Sequence, residues 1–167
     1  MSLGELERRI RQCKKCRLWK GARNAVPGEG PSKAEVMLVG QNPGEEEDRT
    51  GRPFIGRAGK FLNTVLGKNK IGRGRLFITN VVKHKTPQNR TPRSDEIRAC
   101  LPYLTEQIVE IRPRMIVLMG QVAQQTPRKG NIEYILTCHP AAAMRFPKMR
   151  EKIEKDFVTL KERLSKE

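Results

Sequence analysis

The chain has 167 residues, 37% of them hydrophobic, which suits one domain with a buried core spanning 1–167. Lys and Arg total 34 against 18 acids, for a net charge of +16. No apolar run approaches the ~20 residues needed to cross a bilayer, and the first helical pattern is charged from the start, so the expectation is a non-membrane, cytoplasmic protein.

The first pattern in chain order is Glu5-Leu6-Glu7-Arg8-Arg9-Ile10, followed by Cys13-x-x-Cys16. In a cytosolic chain such a pair points to metal or redox work rather than to a disulfide framework. Four apolar runs then read as strands buried on both faces: 34–40, 76–82, 114–120 and 132–138. Helical patterns alternate with them, over 57–66, from an expected cap at Ser94 through Ile97, Leu101, Leu104, Ile108 and Ile111, and through Met149, Ile153, Phe157, Leu160 and Leu164. Residues 120–130 leave room for only a turn or two of helix. The alternation predicts an α/β three-layer sandwich around a four-stranded, mostly parallel sheet. Ligands of such sheets bind beyond the carboxyl ends of the strands.

Those ends carry the chemistry. The first strand runs into Gly40-Gln41-Asn42-Pro43-Gly44 and an acidic stretch, Glu45 to Asp48. Its amides suit holding a water or reading a base edge, and the bland alternative is a loop that starts a helix. Phe54 lies in a Gly/Pro/Arg loop, where it can stack on a base or merely anchor the loop. Asn80 interrupts an apolar strand and needs partners. Its amide can accept from uracil N3–H and donate to O4, whereas cytosine presents the opposite pattern; the alternative is a bond to a neighbouring loop. His139-Pro140 closes the fourth strand, and Met144 and Arg145 beyond it can form a wedge and a phosphate contact. A structural, capped imidazole is the alternative for His139. No acid lies between Asp48 and Asp95, while that segment holds Lys83, Lys85, Arg90 and nine further Lys or Arg residues. Such a field attracts polyanions, so nucleic acid is the expected partner.

Together these pieces resemble the family 4 uracil-DNA glycosylases, iron–sulfur members of the uracil glycosylase superfamily. The matching residues are Cys13-x-x-Cys16, Pro43-Gly44-x-x-Glu47-Asp48, the run from Gly51 to Gly59, Thr79-Asn80-Val81-Val82-Lys83, Asn89-Arg90-Thr91-Pro92, Cys100 and His139-Pro140-Ala141-Ala142. The resemblance implies a monofunctional hydrolase of N-glycosyl bonds in base excision repair. Its partner would be DNA containing uracil or another deaminated base, and it would act as a monomer. Phe54 would stack on the flipped base, Asn80 read its edge, Glu47 exclude a C5 methyl, Gly44 line the site and His139 hydrogen-bond O2. Lys83, Lys85, Arg90, Met144 and Arg145 would face DNA.

The chain departs from the family pattern in three places. Gln41-Asn42 stands where the family has Glu-Ala, as in mismatch-specific relatives whose Asn orients the attacking water; Gln41 and Asn42 are therefore catalytic candidates. His84 occupies the third cysteine position, giving Cys13, Cys16, His84 and Cys100 as ligands of a [4Fe–4S] cluster, with zinc as the alternative. The segment 121–131 is shorter than its family counterpart. Two rival functions follow: a glycosylase of wider range that includes hypoxanthine or xanthine, and a non-catalytic, metal-stabilised lesion-binding protein.

Overall fold

The computed structural model describes residues 1–166. The apolar runs form β1 Val36–Gly40, β2 Leu76–Asn80, β3 Met115–Met119 and β4 Glu133–Thr137. They pair in the order β2-β1-β3-β4, and all three pairings are parallel. Each strand is shorter than its apolar run. Val81 and Val82 stay buried but leave the strand, their N–H groups donating to the carbonyls of Gly40 and Gln41.

Alternate residues of each strand face opposite layers. One face carries Val36, Leu38, Ile78, Val117 and Ile135. It packs on α3 (Arg57–Lys68), α5 (Pro140–Arg145) and α6 (Pro147–Leu164) through Leu62, Ala143, Ile153 and Phe157. The other face carries Met37, Val39, Phe77, Ile116 and Leu118 and packs on α4 (Ser94–Ile111) through Ile97, Leu104 and Ile108. Outside α4 lies α1 (Leu3–Arg11), whose Leu6 and Ile10 meet Tyr103. The molecule is thus a three-layer α/β sandwich with a parallel sheet.

Two local expectations are corrected. β4 is an edge strand buried on one face only, and Leu136 is exposed, because among the described residues no helix packs closely on that face of the edge. Ser94 is the first helical residue, not the cap: Arg93 is the N-cap, and the Glu96 carboxylate reaches back to accept from its N–H at 2.7 Å. This charge-assisted bond to the N-cap N–H closes the helix start without a serine at the cap.

β1 connects to β2 on one side, while β3 joins β1 on the other, so the chain reverses direction across the sheet at β1. The crevice at such a switch point collects the loops that leave the strands. Gly40 and Asn80 are register partners, so the ends of β1 and β2 stand side by side.

Candidate active site

A cavity of about 350 Å³ opens at the carboxyl edge of the sheet, and its wall includes Asn42, Glu47, Phe54, Asn80, Asn89 and His139. Four separate loops meet there. The volume falls at the low end of the range of about 300–1,000 Å³ usual for small-molecule sites. The Phe54 and His139 rings lie 5.7 Å apart, tilted by 31°.

Local sequence explains how Phe54 reaches this place. Its φ is +48°, a left-handed conformation that costs a non-glycine residue energy. Arg73 holds the turn: its guanidinium donates to the carbonyls of Phe54 at 2.7 Å and Pro53 at 2.6 Å, and to Asn63 Oδ1 at 2.8 Å. Gly40 makes room for the ring, since a Cβ there would overlap Phe54 and stand 2.6 Å from Asn80 Oδ1. A Cβ at Gly59 would overlap the Phe54 carbonyl. Sequence reasoning gave no site role to Arg73, Gly40 or Asn89. Gly40 and Asn89 stand inside longer motifs, and for Arg73 no local signal exists.

Asn80 is buried at the cavity wall, and its Oδ1 has no hydrogen-bond partner. An amide oxygen desolvated without a partner costs ~1–3 kcal/mol. It is an acceptor waiting for a donor. His139 is its counterpart. Ala141 N–H donates to His139 Nδ1 at 3.0 Å, so the ring proton resides on Nε2. Burial pulls the imidazole down to about 4, against a smaller opposing pull from Glu47. At neutral pH the side chain is therefore a neutral N–H donor.

Glu47 lies in the first turn of the acidic stretch's helix, α2 (Glu45–Thr50), and is mostly buried. One carboxylate oxygen accepts from Gly44 N–H at 3.0 Å; the other accepts from Ile55 N–H at 2.8 Å and Gly56 N–H at 2.6 Å. It clamps the β1 loop to the Phe54 loop. Gln41 donates to Asn42 Oδ1 at 3.0 Å, and Asn42 Nδ2 donates to the Pro43 carbonyl at 2.9 Å. Asn42 lines the cavity, whereas Gln41 stands behind it and orients it.

The charged residues expected at DNA divide into several groups. Lys83 is a correction: it has no exposed surface. Its ammonium donates to Thr79 Oγ1 at 2.7 Å, the Asn80 carbonyl at 2.7 Å and Gln107 Oε1 at 2.8 Å. Burial lowers its pKa to about 7, but three acceptors surround it, the set that a protonated amine fills. Lys85 pairs with Glu45 at 3.1 Å and lies 3.7 Å from Asp48. The Arg90 guanidinium forms a fork with Glu96 at 2.8 and 2.9 Å. Both line a second cavity of about 500 Å³ that shares Gly44, Glu45 and Asn89 with the first. Met144 and Arg145 are exposed on α5, next to Phe146, which is 52% exposed and was not foreseen. The Arg145 guanidinium lies 5.6 Å from the Phe146 ring centre.

Cys13, Cys16 and Cys100 are free thiols near enough to one another to interact electrostatically. Burial pushes Cys100 up to about 11, opposed by the backbone N–H of Lys83. Lys15 N–H donates to Cys13 Sγ at 3.5 Å. His84 is buried, shares a cavity wall with Cys13, and has an Nδ1 with no hydrogen-bond partner. An orphaned nitrogen beside a thiol that accepts from a backbone N–H fits a metal centre's donor set. Among the described residues, no three His, Cys, Asp or Glu side chains are drawn tightly enough to grip a single ion. Cys138, by contrast, is buried elsewhere and donates to the Met149 carbonyl.

Comparison with known proteins gives this arrangement its family. The family model for the uracil DNA glycosylase superfamily matches residues 27–164. A type-4 uracil-DNA glycosylase of Saccharolobus solfataricus is 45% identical, the match covering 93% of this chain and 83% of that protein. Its namesake from Pyrobaculum aerophilum is 41% identical, over 94% of this chain and 92% of its own. A type-5 uracil-DNA glycosylase of the same organism is 33% identical over 63% of this chain. The chain belongs to the uracil DNA glycosylase superfamily.

Proposed function

We propose that the protein flips uracil out of DNA into the 350 Å³ cavity and hydrolyses its N-glycosidic bond, acting as a monofunctional, monomeric glycosylase. The observation that carries this reading is Asn80, whose buried Oδ1 has no partner at the cavity wall. Uracil supplies the missing donor at N3–H, and the Asn80 amino group donates to O4. Cytosine offers an acceptor at N3 and a donor at N4, so it leaves both groups mispaired.

The remaining residues follow from the bond that breaks. Phe54 stacks on the base. As the C1′–N1 bond lengthens, its electron pair moves into the base and negative charge gathers on O2. His139 Nε2–H, neutral and fixed by Ala141, donates to that oxygen. Asn42 holds the water that adds to C1′, and Gln41 fixes its amide. The water's proton passes to solvent, and the base departs as an anion that takes up a proton from solvent at N1. Glu47 keeps the walls in register and occupies the space beside C5, where thymine carries a methyl group. Met144, Arg145, Phe146, Lys85 and Arg90 face the DNA around the mouth.

We assign the donor set Cys13, Cys16, Cys100 and His84 to a [4Fe–4S] cluster, which the three free thiols and the buried His84 nitrogen without a partner would hold. Its role is to pin the N-terminal segment beside the site.

A base-release assay tests the function, on strands carrying uracil, cytosine, hypoxanthine, xanthine or a thymine mismatch. The expected result is free uracil from the uracil strand. Asn80→Ala should then lower release by roughly 10²–10³-fold, the scale for losing one preorganised polar contact to a developing charge. Binding without release from any strand would overturn the reading and favour a lesion-binding protein.

A further inference from the structure

Lys83 belongs to neither centre as a ligand or lining residue, yet it touches both. It does not line the base cavity, and its ammonium is enclosed. Through its backbone it reaches the cysteine centre: it directly precedes His84, it lies close enough to Cys100 to interact electrostatically with the thiol, and its carbonyl accepts from Val26 N–H at 2.7 Å. Through its side chain it reaches the base reader, donating to the Asn80 carbonyl and to Thr79 Oγ1, both at 2.7 Å. The third contact, Gln107 Oε1 at 2.8 Å, anchors it to α4. Thr79 and Gln107 both donate in turn to the Pro27 carbonyl, at 2.8 and 2.7 Å. The network closes on itself.

Asn80 needs such support. Its Oδ1 has no partner before a base arrives, so the aim of that oxygen is set by the backbone that carries it. Asn80 is the last residue of β2, where the regular ladder stops. Lys83 fixes the carbonyl of that terminal residue with a charge-assisted hydrogen bond inside the protein, where such bonds are strong.

We infer that Lys83 is a positioning residue for base recognition: the strut that ties the cysteine centre to the Asn80 side of the pocket. The inference rests on Asn80 being the base reader. It accounts for a buried cation that neither the chemistry nor DNA contact employs.

A double-mutant cycle tests it in the full-length protein. Lys83→Met removes the ammonium and keeps the stem and the backbone. Single-turnover release of uracil should fall roughly tenfold to a hundredfold, the range for losing a buried charge-assisted hydrogen bond. In an Asn80→Ala background the same change should cost less than about threefold, because residues acting through one group are non-additive. Metal per chain and the visible spectrum should match the parent. Losses that multiply independently would overturn the inference, as would loss of metal in Lys83→Met. If Lys83→Met does not fold, Gln107→Met removes one anchor of the ammonium and enters the same cycle, with the same two outcomes. Absence of uracil release from the parent protein would strike the proposed function instead, so the two failures are distinct.

Discussion

His139 shows how one side chain acquires a chemical state from its surroundings. Ala141 N–H occupies Nδ1, and burial holds the ring far below the usual histidine range, at about 4. The folded value is below the unfolded one, near 6.5. Folding therefore opposes protonation: the contribution to stability is complete above about 6.5 and is lost as pH falls toward 4. An NMR titration of the free protein, assigned with His139→Gln, should place this imidazole's midpoint near 4; a midpoint near 6.5 would contradict the neutral-donor role. Asn42 makes the opposite kind of claim, about a water rather than the base. Asn42→Ala should still bind uracil-containing DNA while losing release, as measured by gel shift beside base release. Near-normal turnover would remove Asn42 from the mechanism.

Which residues were legible follows from the same physics. Asn80 was legible because an amide in an apolar strand demands an explanation, and His139 because it closes a strand beside a proline. Lys83 was misread because it stands in a run of cations with no acids, which resembles a solvated, DNA-facing surface. Its real partners, Thr79, Gln107 and the Asn80 carbonyl, include one from a helix that begins more than ten residues later. Arg73 was invisible for a related reason: its targets lie in a loop that precedes it by a whole helix.

Loops leaving β1 and β2, and the Phe54 loop between them, form a single packed unit at the element scale. Glu47 clamps the first to the third, Arg73 locks the third, and Gly40 lets the ring and the Asn80 amide close over the end of β1. Gly40→Ala would drive a methyl into Phe54 and Asn80 at once. Overpacking of this kind costs about 1–3 kcal/mol. Denaturant unfolding should show that loss, and uracil release should fall further than stability alone explains, because both displaced groups line the site. Unchanged release would mean that the ring and the amide are not held as described. The elements themselves were readable from periodicity, since strands rich in Val and Ile and amphipathic helices leave strong patterns. The edge position of β4 was not, because one covered face and two look alike in a short apolar run. The cap of α4 escaped for want of a partner: a carboxylate three residues on displaced the expected serine.

Across the whole molecule, one sheet gathers residues from positions 42, 54, 80 and 139 into one cavity of about 350 Å³. Most of the cations lie outside its wall, while the cysteine side braces the back through Lys83. The fold class followed from the alternation of strands and helices, and the site from where the strands end. The meeting of these loops around one space could be established only by tertiary structure. The most direct test of the account is a crystal structure with DNA carrying a non-hydrolysable uracil nucleotide. It should show the base stacked on Phe54, with N3 within hydrogen-bond distance of Asn80 Oδ1 and O2 facing His139 Nε2. A uracil bound elsewhere, or left stacked in the duplex at saturation, would contradict it.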